Sequence, residues 1–229
     1  MSGLPPYRLL STGDTPGELV GEMTARGFVM DVVPFIGIEA VEIKIPVTDV
    51  AVFTSSNAVN AIRPHVKEVV PEWRIYCIDG ATFEAVAEIF GERSVMGKSD
   101  SASGLATLIV RSETSRRGKV VFFCGDQRRE ELPLILRDAG LNLTEMVVYR
   151  TVLTPHRQEK NYDGIVFFSP SAAESFFSVN RIGKDVPLFA IGPTTAAAIH
   201  MRCSNPVIIG ERPDKALLLR RMTEYFLTQ

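Results

Sequence analysis

Short apolar runs alternate with amphipathic helical stretches along almost the whole chain. The apolar runs, of four to six residues, have the length of strands that are buried on both faces, and the stretches between them have the period of surface helices. Such alternation is typical of parallel sheets that are covered by helices on both faces. The sequence therefore predicts an α/β protein.

Ten strands and seven clear helices follow from this pattern. The predicted strands are Tyr7–Ser11, Phe28–Pro34, Val50–Thr54, Arg74–Ile78, Ser94–Gly97, Lys119–Cys124, Leu143–Tyr149, Asp163–Phe168, Pro187–Ile191 and Pro206–Ile209. The predicted helices are Gly17–Arg26, Thr82–Phe90, Gly104–Arg111, Glu130–Ala139, Ala172–Val179, Thr195–Met201 and Asp214–Leu227. Ten strands are too many for one compact sheet in 229 residues, whereas two sheets of five fit well.

A loose internal repeat supports two similar domains. Phe53–Val59 reappears as Phe167–Ala173, and Ile78–Thr82 reappears as Ile191–Thr195. The two offsets are 114 and 113 residues, so the register is kept across the pair. Matched offsets favour two copies of one domain over a chance similarity of short α/β segments.

The domain boundaries follow from the size of the first strand–helix–strand unit, which is too small to stand alone. We predict a discontinuous domain of residues 1–35 and 152–229, with a second domain of residues 36–151 inserted into it. Two extended stretches, Phe35–Ile45 and Val147–Pro155, then run side by side as a two-stranded linker. The predicted fold is thus a pair of similar doubly wound, flavodoxin-like parallel-sheet domains.

Composition and charge narrow the class of partner. The net charge of −2 gives no basic field that would attract nucleic acid or an anionic membrane. The N-terminus lacks the apolar core of a signal peptide, and no apolar run approaches the ~20 residues that span a bilayer. Cys77 and Cys124 lie in apolar runs and are interpreted as buried free thiols. We therefore expect a cytoplasmic protein.

Hydroxyl-rich turns follow several predicted strands, where ligands of open α/β sheets bind. These turns are Thr54-Ser55-Ser56-Asn57, Ala81-Thr82, Ser169-Pro170-Ser171 and Pro193-Thr194-Thr195. Each can present backbone N–H groups, a hydroxyl and the positive end of a helix dipole to an anion. The competing interpretation is that these residues only cap helices. Two such turns in each domain, facing a common cleft, favour a ligand rich in carboxylate or phosphate groups.

A further turn, from Gly125 to Arg129, follows the predicted strand Lys119–Cys124. Arg128 and Arg129 can clamp an acidic ligand, or they can pair with the neighbouring Glu130 or Glu131 at little energetic consequence. The chain has no dinucleotide or phosphate-binding glycine motif, no nucleophile elbow, and no histidine spacing that suits a metal. We therefore expect no metal and no cofactor.

Five segments together resemble uroporphyrinogen-III synthase over nearly the whole chain. They are Phe53–Val59, Cys124–Pro133, Val148–Thr151, Phe167–Ala172 and Ala190–Ala196, in the family's order and at suitable spacing. The resemblance implies two doubly wound domains, one of them discontinuous, joined by two strands. It also implies an enzyme of tetrapyrrole biosynthesis that needs no cofactor, and we expect a monomer.

The implied reaction converts hydroxymethylbilane, a linear tetrapyrrole, to uroporphyrinogen III. The bilane loses its terminal hydroxyl as water, which leaves an electrophilic azafulvene on the first ring. The substituted carbon of the last ring attacks it and gives a spiro intermediate, and fragmentation and reclosure then invert that ring. Without enzyme the bilane closes directly to the uninverted isomer, so the protein must control the conformation of the substrate.

The resemblance also assigns residues. Tyr149 matches the family's tyrosine in the segment Val148–Thr151 and is the candidate catalytic acid, although it can instead be a linker tyrosine that packs against a neighbouring strand. The substrate-binding candidates occupy the turns described above: Thr54, Ser55, Asn57, Thr82, Gly125, Arg128, Arg129, Ser169, Ser171, Gly192, Thr194 and Thr195.

Two departures from the family pattern weaken this assignment. Ser11-Thr12-Gly13 stands where many bacterial members have Thr-Arg, and Asp79 replaces a glycine near a proposed anion site. One alternative is a catalytically silent relative, a two-lobed module that binds a small molecule or regulates. Another is a two-lobed binding protein for sugars or amino acids, which the lack of a signal sequence disfavours.

Overall fold

The chain divides into two compact α/β units. The computed structural model describes residues 7–114 and 118–228. Unit 1 is formed by Met1–Gly37 and Val152–Gln229, and unit 2 by Ile38–Thr151. The divisions expected from the sequence were after residues 35 and 151.

Eleven strands and eight α-helices are found in the described residues. The strands are β1 (Arg8–Ser11), β2 (Val29–Val32), β3 (Ile36–Ala40), β4 (Val50–Phe53), β5 (Arg74–Ile78), β6 (Val95–Ser99), β7 (Lys119–Gly125), β8 (Asn142–Leu153), β9 (Gly164–Phe167), β10 (Leu188–Ala190) and β11 (Val207–Ile209). The helices are α1 (Gly17–Ala25), α2 (Ser56–Ile62), α3 (Ala81–Phe90), α4 (Ala102–Glu113), α5 (Glu131–Asp138), α6 (Pro170–Val179), α7 (Pro193–His200) and α8 (Lys215–Leu227).

Unit 1 has a five-stranded sheet in the order β11-β10-β9-β1-β2, and every neighbouring pair is parallel. Alternate residues of β9 face opposite sides, since Phe167 packs with α6 and α7 while Val166 packs with α8. Helices therefore cover both faces of the sheet. Numbered within the unit, the order is 2-1-3-4-5, as in flavodoxin-like folds.

Unit 2 has a six-stranded sheet in the order β3-β8-β7-β4-β5-β6. From β8 to β6 the neighbouring strands are parallel, and β3 lies at the edge beside β8. Phe53 and Ala51 of β4 pack with α2 and α3, whereas Val50 and Val52 pack with α4 and α5. The second unit is thus also doubly wound, as predicted.

The structure corrects the element count in two places. The sheets contain five and six strands, because Ile36–Ala40, expected only as extended linker, is hydrogen-bonded into the second sheet as β3. Helix α2 was not among the predicted helices, because it has only seven residues and begins in a polar Ser-Asn pair.

None of the helices in the described part of the chain is both long and apolar enough to cross a membrane. Cys77 and Cys124 are buried and free, as predicted, and burial raises the pKa of each thiol to about 11.

Candidate functional site

The strand order of unit 2 creates a switch point between β4 and β7. Helices α2 and α3, which follow β4 and β5, pack on one face of the sheet, and α4 and α5 pack on the other. The chain therefore leaves the carboxyl ends of β4 and β7 toward opposite faces. A ligand crevice in an open α/β sheet forms at such a point.

The turn after β4 carries Thr54, Ser55 and Asn57, all half-buried. Ser55 caps α2, since its hydroxyl accepts a hydrogen bond from the backbone N–H of Asn57 at 3.2 Å. Ser55 therefore caps this helix, which is the competing interpretation given above. The side chains of Thr54 and Asn57 lie beside this cap and are not needed for it.

The turn after β5 differs from a simple hydroxyl turn. Thr82 is buried in the first turn of α3, and Gly80 before it has a φ of 75° that favours glycine. The carboxylate of Asp79 accepts hydrogen bonds from the Lys98 ammonium at 2.9 Å and from the Gly80 N–H at 2.8 Å. The hydrogen bond from Lys98, supported by that from Gly80, lowers the pKa of Asp79. The negative charge that departs from the family pattern is thus paired with Lys98 of the neighbouring strand β6.

The turn after β7 holds the two candidate arginines. Arg128 is half-buried and pairs with Glu130 and with Glu145 of β8, and the hydrogen bond that its guanidinium donates to Glu130 is the main reason why its pKa is raised. Pairing with Glu130 is the competing interpretation made from the sequence, and Glu145 was missed. Arg129 is exposed. Of the two, Arg129 has the freer guanidinium for an acidic ligand.

Tyr149 lies on β8, next to β7, so the ends of β4, β7 and β8 bring it into the same region as Thr54 and Gly125. Its ring is half-buried and packs against the apolar cluster that includes Phe53 and Phe123. The ring also fills the space in front of Gly125, where an added Cβ would lie 2.7 Å from the phenol oxygen. Tyr149 thus packs against the neighbouring strand and also lies near the switch point, so the two interpretations made from the sequence do not exclude each other.

In unit 1 the corresponding turns follow β9 and β10, which are neighbours. Ser169 caps α6 by accepting the Ala172 N–H at 3.1 Å, and Ser171 is buried. Gly192 precedes α7 and is half-buried, Thr194 is exposed, and Thr195 is only 1% exposed. The accessible hydroxyl of the second turn therefore belongs to Thr194 and not to Thr195.

The repeat seen in the sequence has matching local structure. Ser55 and Ser169 are separated by 114 residues, and each caps the helix that follows its strand. Thr82 and Thr195 are separated by 113 residues, and both are buried in the first turn of a helix. The side chains of this second pair are therefore enclosed within the turns.

The switch point of unit 1 lies between β1 and β9, where Ser11-Thr12-Gly13 stands. Thr12 is buried, and its hydroxyl donates to the carbonyl of Val166 at 2.8 Å. Sequence reasoning missed one cation in this region. The Lys215 ammonium donates to the carbonyl of Asp14 at 2.8 Å and lies 4.9 Å from the centre of the Phe168 ring, and desolvation lowers its pKa. Only its place as the first residue of a capped helix, far away in sequence, could have indicated it.

In the described residues no group of three or more His, Cys, Asp or Glu side chains is placed to hold a metal ion. The candidate residues at both carboxyl edges offer hydroxyls, amides, backbone N–H groups and single cations.

Comparison with known structures shows the fold. The structure is similar to uroporphyrinogen-III synthetase from Helicobacter pylori, with a TM-score of 0.68, 14% identity, and coverage of 96% of this chain and 99% of that one. It is also similar to a mutant uroporphyrinogen III synthase from Thermus thermophilus, with a TM-score of 0.58, 15% identity, and coverage of 97% and 100%.

Sequence comparison gives two findings. A curated relative, an aminomethyltransferase from Cupriavidus necator, is 31% identical over 132 residues, which are 57% of this chain and 33% of that protein. The chain thus spans about a third of the length of this relative. The family described as uroporphyrinogen-III synthase HemD matches residues 17–220, which is most of the chain and includes parts of both units. The chain therefore belongs to the uroporphyrinogen-III synthase family.

Proposed function

We propose that this chain catalyses the cyclisation of hydroxymethylbilane to uroporphyrinogen III, with loss of water and inversion of the last pyrrole ring. The family match over residues 17–220 carries this proposal. The chemistry at the carboxyl edges of the two sheets is compatible with it. A cyclising enzyme that must direct a flexible anionic substrate needs many weak contacts with carboxylates, and these edges supply hydroxyls and helix N-termini.

The acetate and propionate groups of the bilane are the proposed ligands of the hydroxyl turns. In unit 2 they would contact Thr54, Asn57 and Arg129, together with the N-termini of α2 and α3. In unit 1 they would contact Ser169, Gly192 and Thr194 at the N-termini of α6 and α7. The buried Thr82, Ser171 and Thr195 would shape these turns, while Ser55 and Arg128 are held by their own partners.

Tyr149 is the proposed acid. The terminal hydroxyl of the bilane is a poor leaving group unless a proton or a hydrogen bond reaches its oxygen as the carbon–oxygen bond breaks. The phenol O–H would donate to that oxygen while the pyrrole nitrogen supplies electrons to the azafulvene. The water then departs, the last ring attacks to form the spiro intermediate, and reclosure gives the inverted isomer.

The same proposal includes the state and location of the protein. We propose that it acts as a monomer with the linear tetrapyrrole as its partner, and that it works in the cytoplasm. The three free cysteines support a reducing compartment, since no disulfide joins them.

The test is a product assay. Hydroxymethylbilane is added to the purified chain, and the product isomers are separated after oxidation. We expect the type III isomer to dominate with protein and the type I isomer to dominate without it. Dialysis against a chelator should leave the ratio unchanged. Type I product alone, at high protein concentration, would instead support the catalytically silent relative.

A further inference from the structure

Strand β8 is irregular at the point where it carries Tyr149. Along β7, Cys124 is paired with Val147, but the next residue, Gly125, is paired with Tyr149. Val148 is therefore an extra residue in β8, and the register shifts there as it does at a β-bulge.

This shift changes the face on which Tyr149 lies. In a regular strand successive side chains point to opposite faces, so Val148 and Tyr149 would be separated by the sheet. Here Val148 belongs to the buried cluster on the α2–α3 side, and Tyr149 packs against that same cluster. Bulges commonly redirect a side chain in this way next to functional sites. The extra residue Val148 thus places the Tyr149 ring on the α2–α3 side of the sheet.

Gly125 makes room for the redirected ring. A Cβ at this position would lie 2.4 Å from Cζ, 2.6 Å from Cε2 and 2.7 Å from the hydroxyl oxygen of Tyr149. Carbon atoms in contact are normally about 3.5–4.0 Å apart, so the ring would have to move. Gly125 does not have a positive φ, and its backbone conformation is open to other residues. The requirement for glycine here is therefore one of space beside Tyr149.

Asp126 holds the irregular part of β8 at two points. Its backbone N–H donates to the carbonyl of Tyr149 at 3.2 Å, and its Oδ1 accepts the N–H of Thr151 at 3.0 Å. One residue thus fixes the backbone on both sides of Arg150. The side chain of Asp126 therefore accepts the hydrogen bond of the Thr151 N–H in place of a backbone carbonyl of the neighbouring strand.

We infer that Gly125 and Asp126 are positioning residues, which hold the Tyr149 phenol in place at the carboxyl edge of unit 2 and act on the reaction only through it. This inference rests on the proposed function, and it gives Gly125 a role different from the substrate contact expected from the sequence.

The kinetic test is a double-mutant cycle of Gly125→Ala and Tyr149→Phe. We expect each single variant to lower kcat on the order of 10–1,000-fold, as for loss of one proton donor, with KM changed less than about twofold. Adding Gly125→Ala to Tyr149→Phe should lower kcat little further, because the phenol is already gone. A substrate contact of Gly125 would instead raise KM in both backgrounds, and a merely structural role would lower kcat equally in both.

Asp126 supplies a second, milder pair of variants. Asp126→Asn keeps an acceptor oxygen for the Thr151 N–H, whereas Asp126→Ala removes it. We expect Asp126→Ala to lose more kcat than Asp126→Asn, and the difference to vanish when Tyr149 is already Phe. These variants keep the inference testable if Gly125→Ala does not fold.

A measurement without substrate separates this inference from the proposed function. In protein labelled with 3-fluorotyrosine, the Tyr149 resonance is identified by its absence in Tyr149→Phe. Gly125→Ala should move this resonance toward that of free fluorotyrosine. Gly21→Ala, on a helix with nothing within 4 Å of the added carbon, should leave both the resonance and the activity unchanged.

Two results would overturn the inference: a Tyr149 resonance that stays in place in Gly125→Ala, or an equal further loss of kcat on adding that change to Tyr149→Phe. If the unaltered chain forms no type III isomer, the proposed function fails instead, and the fluorine measurement still decides whether Gly125 positions the ring.

Discussion

At the scale of single residues, Asp31 shows how a partly buried charge is stabilised in unit 1. Its Oδ2 accepts hydrogen bonds from the Lys160 ammonium at 2.9 Å, the Tyr162 hydroxyl at 3.0 Å and the Arg8 guanidinium at 3.2 Å. Desolvation favours the neutral acid, but these three donors together outweigh it and lower the pKa of Asp31. Desolvation, together with the hydrogen bond that the Tyr162 hydroxyl donates to Asp31, raises the pKa of Tyr162 to about 12.

This lowered pKa predicts a dependence of stability on pH. The stabilisation is complete above the unfolded pKa of about 3.9 and is lost as the pH falls through the folded value. Asp31→Asn should therefore reduce the free energy of unfolding at pH 7 by on the order of 1 kcal/mol, and the reduction should shrink below about pH 4. Urea unfolding of the variant and the unaltered protein, at pH 7 and below about pH 4, measures this reduction. Glu159→Gln, an exposed position, serves as control, and a reduction for Asp31→Asn that is independent of pH would contradict the argument.

Single residues also show where sequence reasoning reached the site and where it stopped. The Ser-x-x pattern before two helices is local, and so the capping interpretation of Ser55 and Ser169 could be made from the sequence. The pairing of Arg128 with Glu145 and the fit of Tyr149 onto Gly125 depend on how β7 and β8 are registered. No local pattern encodes that register, because the bulge changes it by one residue.

At the scale of elements, strands buried on both faces were predicted best. All four residues of Val50–Phe53 and of Gly164–Phe167 are buried, and this appears in the sequence as an unbroken apolar run. Strand β3 was expected only as extended chain, because it is an edge strand with an exposed Glu39 and a glycine at its second position. Its pairing with β8 is a property of the folded sheet and is not visible in its own residues.

Helix α4 is joined to β5 by a buried carboxylate. Glu113, the last residue of the helix, is fully buried, and the Arg74 guanidinium donates to its two oxygens at 3.2 and 2.9 Å. The hydroxyl of Tyr76, which is also buried, donates to Oε1 at 2.8 Å. Removing a carboxylate from water carries a desolvation penalty. The ionised Glu113 is therefore stable in this buried place only while these donors remain.

We therefore expect Glu113→Ala to be strongly destabilising. The change leaves the Arg74 charge and the buried Tyr76 hydroxyl without this acceptor, and the free energy of unfolding should fall by about 3 kcal/mol, near the lower end of values for breaking a buried pair, because Arg74 is 31% exposed. Glu88→Gln, which breaks the exposed pair with Arg63, should change stability little. Chemical unfolding of both variants tests this, and similar losses would refute it.

At the scale of the whole molecule, the two units share one spatial order of strands but not one chain order. Read from β6, unit 2 has the order β6-β5-β4-β7-β8, followed by the edge strand β3, and unit 1 has β11-β10-β9-β1-β2. The repeat therefore matches β4 with β9 and β5 with β10, while β1 and β2 occupy the places of β7 and β8. The repeat was visible in the sequence only for the strands that keep their chain order, which is why its two segments have nearly the same offset.

The same comparison predicts that unit 2 can fold without unit 1. Its sheet has its own apolar clusters on both faces, and its first and last strands, β3 and β8, are neighbours, with the Val41 N–H bonded to the Val148 carbonyl at 2.9 Å. A fragment of residues 36–153 keeps both strands whole.

The only tryptophan of the chain, Trp73, is 6% exposed and stacks on Phe123 at 5.3 Å, so its fluorescence reports this core alone. We expect the fragment to unfold in urea in one sigmoidal transition that coincides in fluorescence and far-UV circular dichroism. Glu113→Ala should shift both curves to lower urea by the same amount. A fragment whose tryptophan emission is already that of exposed indole without urea would show that these clusters do not suffice for folding, and that the core of unit 2 needs the rest of the chain.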